Sequence, residues 1–142
     1  MVHPIVPFAI RGAIWNYGEA NFIENASTLQ KMKALINGWR TVWKQGDFPI
    51  YYVLLAPFTY RGSVTALPEI WEAQTAALAI PNTGMAVITD IANLRNIHPR
   101  NKQDVGKRLA LWALAKTYDR KDIVYSGPLF KALAIEGGKA RV

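Results

Sequence analysis

Three short apolar runs alternate along this chain with three segments of helical periodicity. The apolar runs cover 8–15, 49–56 and 84–89, and the periodic segments extend from about 27 to 44, from 68 to about 80 and from 104 to about 116. The run at 49–56 is apolar at nearly every position, as expected for a strand covered on both faces. A β-α-β-α-β-α order favours a parallel sheet with right-handed crossovers and helices on both faces. The sequence therefore predicts a three-layer α/β domain.

Local signals place the ends of these elements. Ser27 is the predicted N-cap of the first helix, Gly46 its stop signal, and Pro68 suits the first turn of the second helix. Two further strands are considered, at 123–125 and beginning near 132–135, the latter leading to a Gly-Gly turn that should open a new strand. Sheets of this type usually have five or more strands. A sheet of only three strands therefore predicts that the chain is the later part of a larger domain.

Composition limits the class of protein. With 142 residues, 51% of them apolar, the chain has material for one domain or part of one. No apolar stretch is long enough to cross a membrane, and the first residues lack the layout of a secretory signal. Cysteine is absent and histidine occurs twice, so no metal site is expected. The net charge of +7 is carried by scattered basic residues, which favours a solvated surface over a nucleic-acid or other polyanion site.

A histidine follows the third apolar run. The run at 85–90 ends on Asp90, and a short polar loop leads to His98 and Pro99. Ligands of open α/β sheets bind at the carboxyl ends of strands, where the loop at 16–21 should face the loop at 90–98. An imidazole can take a proton from an attacking hydroxyl and return it to a leaving group. His98 is thus a candidate general base, although an exposed loop histidine fixed by Pro99 is the alternative, while His3 is interpreted as a surface residue.

Six ordered motifs resemble one enzyme family. They are RGAIW at 11–15, GEAN at 18–21, QGDFP at 45–49, LAPF at 55–58, PNTGM at 81–85 and IHPRNKQDVG at 97–106. Together they resemble the sialate O-acetylesterase family of the SGNH hydrolases. The resemblance implies a flavodoxin-like, three-layer αβα fold with a parallel sheet, here incomplete, and removal of acetyl groups from sugars by a serine esterase without metal or organic cofactor.

The resemblance also implies that part of the catalytic machinery lies outside this chain. His98 matches the catalytic histidine of the family, whose nucleophilic serine lies in a Gly-Gln-Ser-Asn type motif well upstream of the matched region. None of the three serines, Ser27, Ser63 and Ser126, lies in such a motif. We therefore expect residues 1–142 to be a partial catalytic domain that is inactive alone and needs the missing N-terminal half of its own domain as partner.

Two positions depart from the family pattern. The family loop usually reads Trp-Tyr-Gln-Gly-Glu, whereas Tyr17 stands here at the glutamine position, where an oxyanion donor is expected. Many relatives carry an aspartate at the position of Asn96, which can still accept a hydrogen bond from an imidazole but adds no charge. Asn96 and Asp90 therefore remain alternative partners that would orient His98, and Asp90 could instead anchor its loop.

The remaining candidate residues would contact the substrate. They are Asn16, Tyr17, Gly18, Glu19, Asn21, Tyr60 and Arg95. The expected substrate is sialic acid or another acetylated sugar, with no nucleic acid or membrane as partner, and the resemblance implies a secreted or periplasmic parent protein. A non-catalytic carbohydrate-binding module on the same fold is the alternative function, and polyanion binding is a further rival without a positive motif.

Overall fold

The helices and strands follow the predicted alternation. A computed structural model describes residues 2–20, 27–61 and 65–142 of the chain. The elements are β1 (Ala13–Trp15), α1 (Thr28–Trp43), β2 (Ile50–Val53), α2 (Ala66–Ala76), β3 (Thr83–Ala86), α3 (Lys102–Lys116), β4 (Ala134–Glu136) and β5 (Lys139–Arg141). Short 3₁₀ turns cover His3–Ile5 and Ala77–Ala79.

The first three strands form a parallel sheet in the order β1-β2-β3. Trp15 pairs with Tyr52 at the last position of the β1–β2 ladder, whereas β2 stays paired with β3 as far as Val53 and Ala86. Beyond this, the Leu54 N–H still donates to the Ala86 carbonyl at 2.9 Å. The central strand is therefore paired further along on its β3 side than on its β1 side.

Helices cover both faces of the sheet, which confirms the predicted three-layer α/β fold. Tyr51 and Val53 pack in one core cluster with Val105, Leu109 and Trp112 of α3. Side chains that alternate with them in β2 pack against residues of α1 and α2 on the opposite face. This alternation follows from strand geometry, which turns successive side chains to opposite faces. Both faces of β2 are buried, as its continuous apolar sequence predicts.

Arg40 of α1 ties together the loops that precede β2 and β3. Its side chain is 8% exposed and donates to the carbonyl oxygens of Phe48, at 3.0 and 3.3 Å, and Pro81, at 2.7 Å. The guanidinium also lies 3.6 Å from the carboxylate of Asp47. A buried cation is stable only when its donors are satisfied, so these bonds fix the amino edge of the sheet.

The predicted extent of the first helix is confirmed, whereas the start of the third helix differs from the prediction. The first helix covers Thr28–Trp43, Lys44 caps its C-terminus in a left-handed conformation at φ 55°, and Ser27 occupies the N-cap position without a side-chain capping bond. The third helix begins two residues before Asp104, because the Asn101 side chain accepts a hydrogen bond from the Asp104 N–H and so caps the first turn. The helix cores were predicted correctly.

The C-terminal residues agree with the prediction in part. The strand considered at 123–125 is absent, and these residues follow α3 without regular structure. The strand expected to begin near 132–135 begins at Ala134, and the Gly137–Gly138 turn opens β5 as predicted. These two strands pair antiparallel in a hairpin that is separate from the parallel sheet.

The described part of the chain holds neither a membrane-spanning helix nor a cluster of metal ligands. None of the helices in 2–20, 27–61 and 65–142 is long and apolar enough to cross a bilayer. Within the same ranges, no three histidine, aspartate or glutamate side chains gather where they could hold a metal ion.

Candidate active site

Three loops leave the carboxyl edge of the parallel sheet, since parallel strands all end at the same edge. They are the segments after β1 (16–20), after β2 (54–61) and after β3 (87–101). The second and third loops are joined, because the backbone N–H and the hydroxyl of Thr59 both donate to the Leu94 carbonyl, at 3.1 and 3.0 Å. The first and second loops are also neighbours, because a Cβ on Gly18 would lie 3.1 Å from Leu55 Cδ1.

His98 lies exposed in the third loop, directly before the buried Pro99. Its backbone N–H donates to the Asn96 side-chain oxygen at 2.9 Å, an Asx turn that fixes the backbone next to the imidazole. The described bond of the Asn96 side chain is therefore to the backbone of His98. Its predicted role in orienting the ring stays a prediction.

Asp90 forms a two-pronged ion pair with Arg108 of α3. Both carboxylate oxygens accept from the guanidinium at 2.6 Å, and the same guanidinium donates to the Val87 carbonyl at 2.6 Å. These hydrogen bonds lower the pKa of Asp90 to about 2. The contacts favour the interpretation in which Asp90 anchors the loop to α3, although the anchor is a side chain. The alternative role of Asp90, orienting the imidazole of His98, stays a prediction.

Gly18 brings the first loop close to the end of β2. Its φ of 140° is a conformation that side chains rarely adopt, and a Cβ at this position would lie 3.1 Å from Leu55 Cδ1. The neighbouring Tyr17 ring packs against Trp15 with 5.6 Å between ring centroids. Asn16 is exposed, Glu19 is half-buried, and Asn21 lies outside the described residues.

Tyr60 and Arg95 occupy the other two loops. The Tyr60 hydroxyl donates to the Ala56 carbonyl at 3.1 Å, and its ring meets Phe58 edge-on with centroids 5.1 Å apart. Burial, together with the nearby Glu19 carboxylate, raises the pKa of Tyr60 to about 12, so this phenol stays protonated near neutral pH. Arg95 is exposed, and its backbone N–H donates to the Asn93 side chain at 2.8 Å.

A cavity of about 430 Å³ opens between the first loop and the helices α1 and α2. Its wall includes Tyr17 and Gly18 from the loop, Met32 from α1 and Gln74 from α2. His98 is not among the residues that line it. The loops of Gly18 and His98 thus share one edge of the sheet, but the imidazole lies outside this cavity.

Two serines are in described positions. Ser27 directly precedes α1, and the Ser126 hydroxyl donates to the neighbouring Gly127 carbonyl at 2.8 Å. Ser63 lies outside the described residues. The source of a nucleophile therefore stays a prediction.

The contacts of two α2 side chains at this edge were not anticipated from the sequence. Gln74 accepts from the Leu55 N–H and donates to the Val53 carbonyl, and Trp71 donates to the Leu55 carbonyl. The signal was present, because Gln74 lies four residues after the buried Ile70 and three before the buried Ala77, on the inward stripe of the helix. A polar residue on that stripe must have a buried partner.

Comparison with known proteins gives relatives over nearly the whole chain. It is 34% identical over 154 aligned residues to the sialate O-acetylesterase of Rattus norvegicus, covering 95% of this chain and 28% of that protein. The human sialate O-acetylesterase is 33% identical over 148 residues, with 91% of this chain and 28% of the human protein covered. The chain thus spans about 28% of the length of these curated relatives. No protein-family model matches the chain.

A solved structure resembles the fold closely. The crystal structure of a carbohydrate acetylesterase from Xanthomonas citri superposes with a TM-score of 0.90 and is 40% identical, covering 99% of this chain and 33% of that one. The parallel sheet between helices and the comparisons together define an SGNH-type carbohydrate esterase fold. Within that class, the chain belongs to the sialate O-acetylesterase family and corresponds to a part of those proteins.

Proposed function

We propose that this chain supplies the general base and the carboxyl-edge loops of a carbohydrate O-acetylesterase whose nucleophilic serine lies elsewhere in a longer polypeptide. The observation that carries the proposal is the exposed His98 on a loop that is held at the carboxyl edge of the sheet. Two hydrogen bonds from Thr59 hold this loop, and the Asx turn of Asn96 fixes the backbone beside the imidazole. The similarity to acetylesterases supports it.

The reaction needs only proton transfer and acyl transfer. The His98 imidazole accepts the proton of the serine hydroxyl as its oxygen attacks the acetyl carbonyl, and a tetrahedral oxyanion forms. Collapse of this intermediate breaks the bond to the sugar oxygen, which takes the proton from His98, and leaves an acetyl-enzyme. Water then attacks the acetyl group in the same way, which releases acetate and returns the serine. The balanced reaction consumes one water and no cofactor.

The loop residues would recognise the sugar. Glu19, Asn16 and Tyr60 offer acceptors and donors for hydroxyl groups, and Asn21, which lies outside the described residues, is proposed as a substrate contact from the sequence alone. The Arg95 guanidinium would suit the carboxylate of a sialic acid, since its planar fork matches two oxygens. Tyr17 would donate to the oxyanion from the position where the family has glutamine. The substrate is thus sialic acid or another acetylated sugar.

The exposed edge of β1 supports the inference that this chain is part of a larger domain. Among the residues that the structure describes, β1 pairs only with β2, and Ile14 at its centre is 66% exposed. An exposed apolar edge strand is a liability that natural sheets normally cover. We infer that the missing N-terminal half of the domain pairs here and that residues 1–142 form a partial catalytic domain.

A His98→Ala variant of the full-length polypeptide that contains this chain tests the proposal. We expect hydrolysis of p-nitrophenyl acetate and of O-acetylated sialic acid by the unchanged protein, and a loss of at least about 100-fold in kcat in the variant, the contribution typical of a general base. His3→Ala is the matched control, because His3 lies exposed in the N-terminal 3₁₀ turn, away from the three loops. Turnover that survives His98→Ala would refute the role.

The two positions that depart from the family sequence pattern favour one alternative function, carbohydrate binding without catalysis. With Tyr17 for glutamine and Asn96 for aspartate, a protein on this fold could bind acetylated sugar without cleaving it. Calorimetric binding of the sugar by the full-length polypeptide, with no acetate released, would establish this carbohydrate-binding function in place of the esterase.

A further inference from the structure

The carboxyl end of β2 continues past its partner strand on one side. Backbone groups of alternate residues in a strand point to the same side. The Leu54 N–H donates to β3, so the backbone N–H and carbonyl groups of Val53 and Leu55 point toward the side of β1. The ladder between β1 and β2 has already ended at Trp15. Both residues are 2% exposed, so their backbone groups need partners from another element.

The helix α2 supplies these partners. The Leu55 N–H donates to Gln74 Oε1 at 2.8 Å, and Gln74 Nε2 donates to the Val53 carbonyl at 3.3 Å. Trp71 Nε1 donates to the Leu55 carbonyl at 2.8 Å. The Gln74 side-chain amide therefore occupies the place of the next residues of β1 and reproduces the donor and acceptor of a strand.

Gln74 is itself held rigidly. Its side chain is 5% exposed, and its backbone carbonyl accepts from the Tyr52 hydroxyl at 2.6 Å. The side chain of Leu55, which it anchors, faces the position of Gly18 in the first loop. The chain then continues through Ala56, whose carbonyl accepts from Tyr60. One amide thus supports both loops that face the candidate sugar site.

We propose that Gln74 is a positioning residue that substitutes for β1 at the end of β2 and so sets the separation between the loop at 16–20 and the loop at 54–61. This inference rests on the proposed function, since it concerns sugar recognition in that site. It assigns Gln74 no contact with the reacting atoms. Its loss should therefore weaken turnover of a sugar ester more than turnover of a small ester.

The main test compares Gln74→Met with Glu72→Gln in the full-length polypeptide. Methionine keeps the length of the side chain and loses both hydrogen bonds, while Glu72 is an exposed residue on the same helix. In Gln74→Met we expect kcat/KM for O-acetylated sialic acid to fall on the order of tenfold, as typical for a displaced binding group, and that for p-nitrophenyl acetate to change less than about twofold. Glu72→Gln should change neither.

Amide hydrogen exchange gives a readout that does not depend on activity. In Gln74→Met the Leu55 amide should exchange at least about tenfold faster, while the Leu54 amide, bonded to Ala86, stays protected. Unchanged protection of Leu55, or equal losses on the two esters, would overturn the inference. A wild-type polypeptide that cleaves neither ester would overturn the proposed function and this inference with it. A wild-type polypeptide that cleaves both esters, with activities that Gln74→Met leaves unchanged, would overturn this inference alone.

Gln74→Glu serves as the second variant should methionine impair folding. A protonated carboxyl can accept from Leu55 and donate to Val53 as the amide does, whereas the carboxylate faces the Val53 carbonyl without a proton. The sugar-ester activity of this variant relative to wild type should therefore rise as the pH falls from about 8 to about 5. The titratable neighbours of Gln74 are Tyr52, whose pKa is raised further above its ordinary value by burial, and Lys31, which lines the same cavity. A pH-independent ratio would contradict the inference.

Discussion

Gly84 of β3 offers a sharp test of how the sheet and α3 are packed. The residue is buried and pairs with Tyr51 of β2. A Cβ placed on it would lie 2.4, 2.6 and 2.9 Å from Cε3, Cδ2 and Cζ3 of Trp112. Carbon atoms in good contact are separated by about 3.5–4.0 Å, so the Gly84→Ala substitution requires the indole ring to move by roughly 1 Å.

The ring has little freedom to move. Its Nε1 donates to the Met85 carbonyl at 3.0 Å, and the ring lies between Tyr51 and Tyr125, with centroids 6.1 and 4.7 Å away. A displacement therefore strains a packed cluster and weakens a buried hydrogen bond. Overpacking and one lost bond together should lower the free energy of unfolding by about 2–4 kcal/mol.

Urea unfolding followed by circular dichroism measures this loss. Gly106→Ala is the matched control, because Gly106 lies inside α3 with open space around it, and alanine there should raise stability by about 0.5–1 kcal/mol. In a Trp112→Leu background the cost of Gly84→Ala should drop below about 1 kcal/mol, since the colliding ring is gone. A cost below about 1 kcal/mol in the unchanged background would refute the reasoning.

Two further predictions concern the loops. Gly18→Ala would force alanine to φ 140° and bring its Cβ to 3.1 Å from Leu55 Cδ1. The esterase activity of the full-length polypeptide should fall on the order of tenfold and its melting temperature should drop through the added strain, and unaltered kinetics would argue against this loop in the site. Asp90 has a pKa of about 2, below its ordinary 3.8, so its pair with Arg108 stabilises the fold above pH 3.8 and is lost as the pH falls toward 2. Asp90→Asn should therefore melt at a lower temperature than wild type near pH 7, with the gap closing between about pH 4 and pH 2, and a gap that persists in acid would contradict the assignment.

The order of elements could be predicted because it depends on local periodicity. The continuous apolar run at 49–56 identifies a central strand whichever neighbours it has. The ends of strands are different, because a residue counts as strand only where a partner lies beside it. The run at 8–15 therefore yields a strand only from Ala13, the first residue that pairs with β2. That starting point depends on the register between two segments far apart in sequence.

The candidate site likewise contains local features, which the sequence predicts, and contacts between distant segments, which it does not. The turn of Asn96 around His98 spans two residues and is a local feature that asparagine commonly forms. The partner of Asp90 is Arg108, eighteen residues later on a helix, and no local pattern indicates that pairing. The comparisons confirm the family, which was recognised from six motifs along the chain. The roles of individual site residues stay predictions.

The strand order separates the loop that carries Glu19 from the loop that carries His98 at the carboxyl edge of the sheet. Because β2 lies between β1 and β3, the loops that carry Glu19 and His98 start about 10 Å apart, two strand spacings across the sheet. The loop of β2 lies in that interval, where Leu55 faces Gly18 on one side and Thr59 donates to the Leu94 carbonyl on the other. A ligand that contacted both Glu19 and His98 would therefore span the loop of β2. We therefore expect changes at Gly18 or Gln74 to alter sugar recognition and changes at His98 to alter the chemistry.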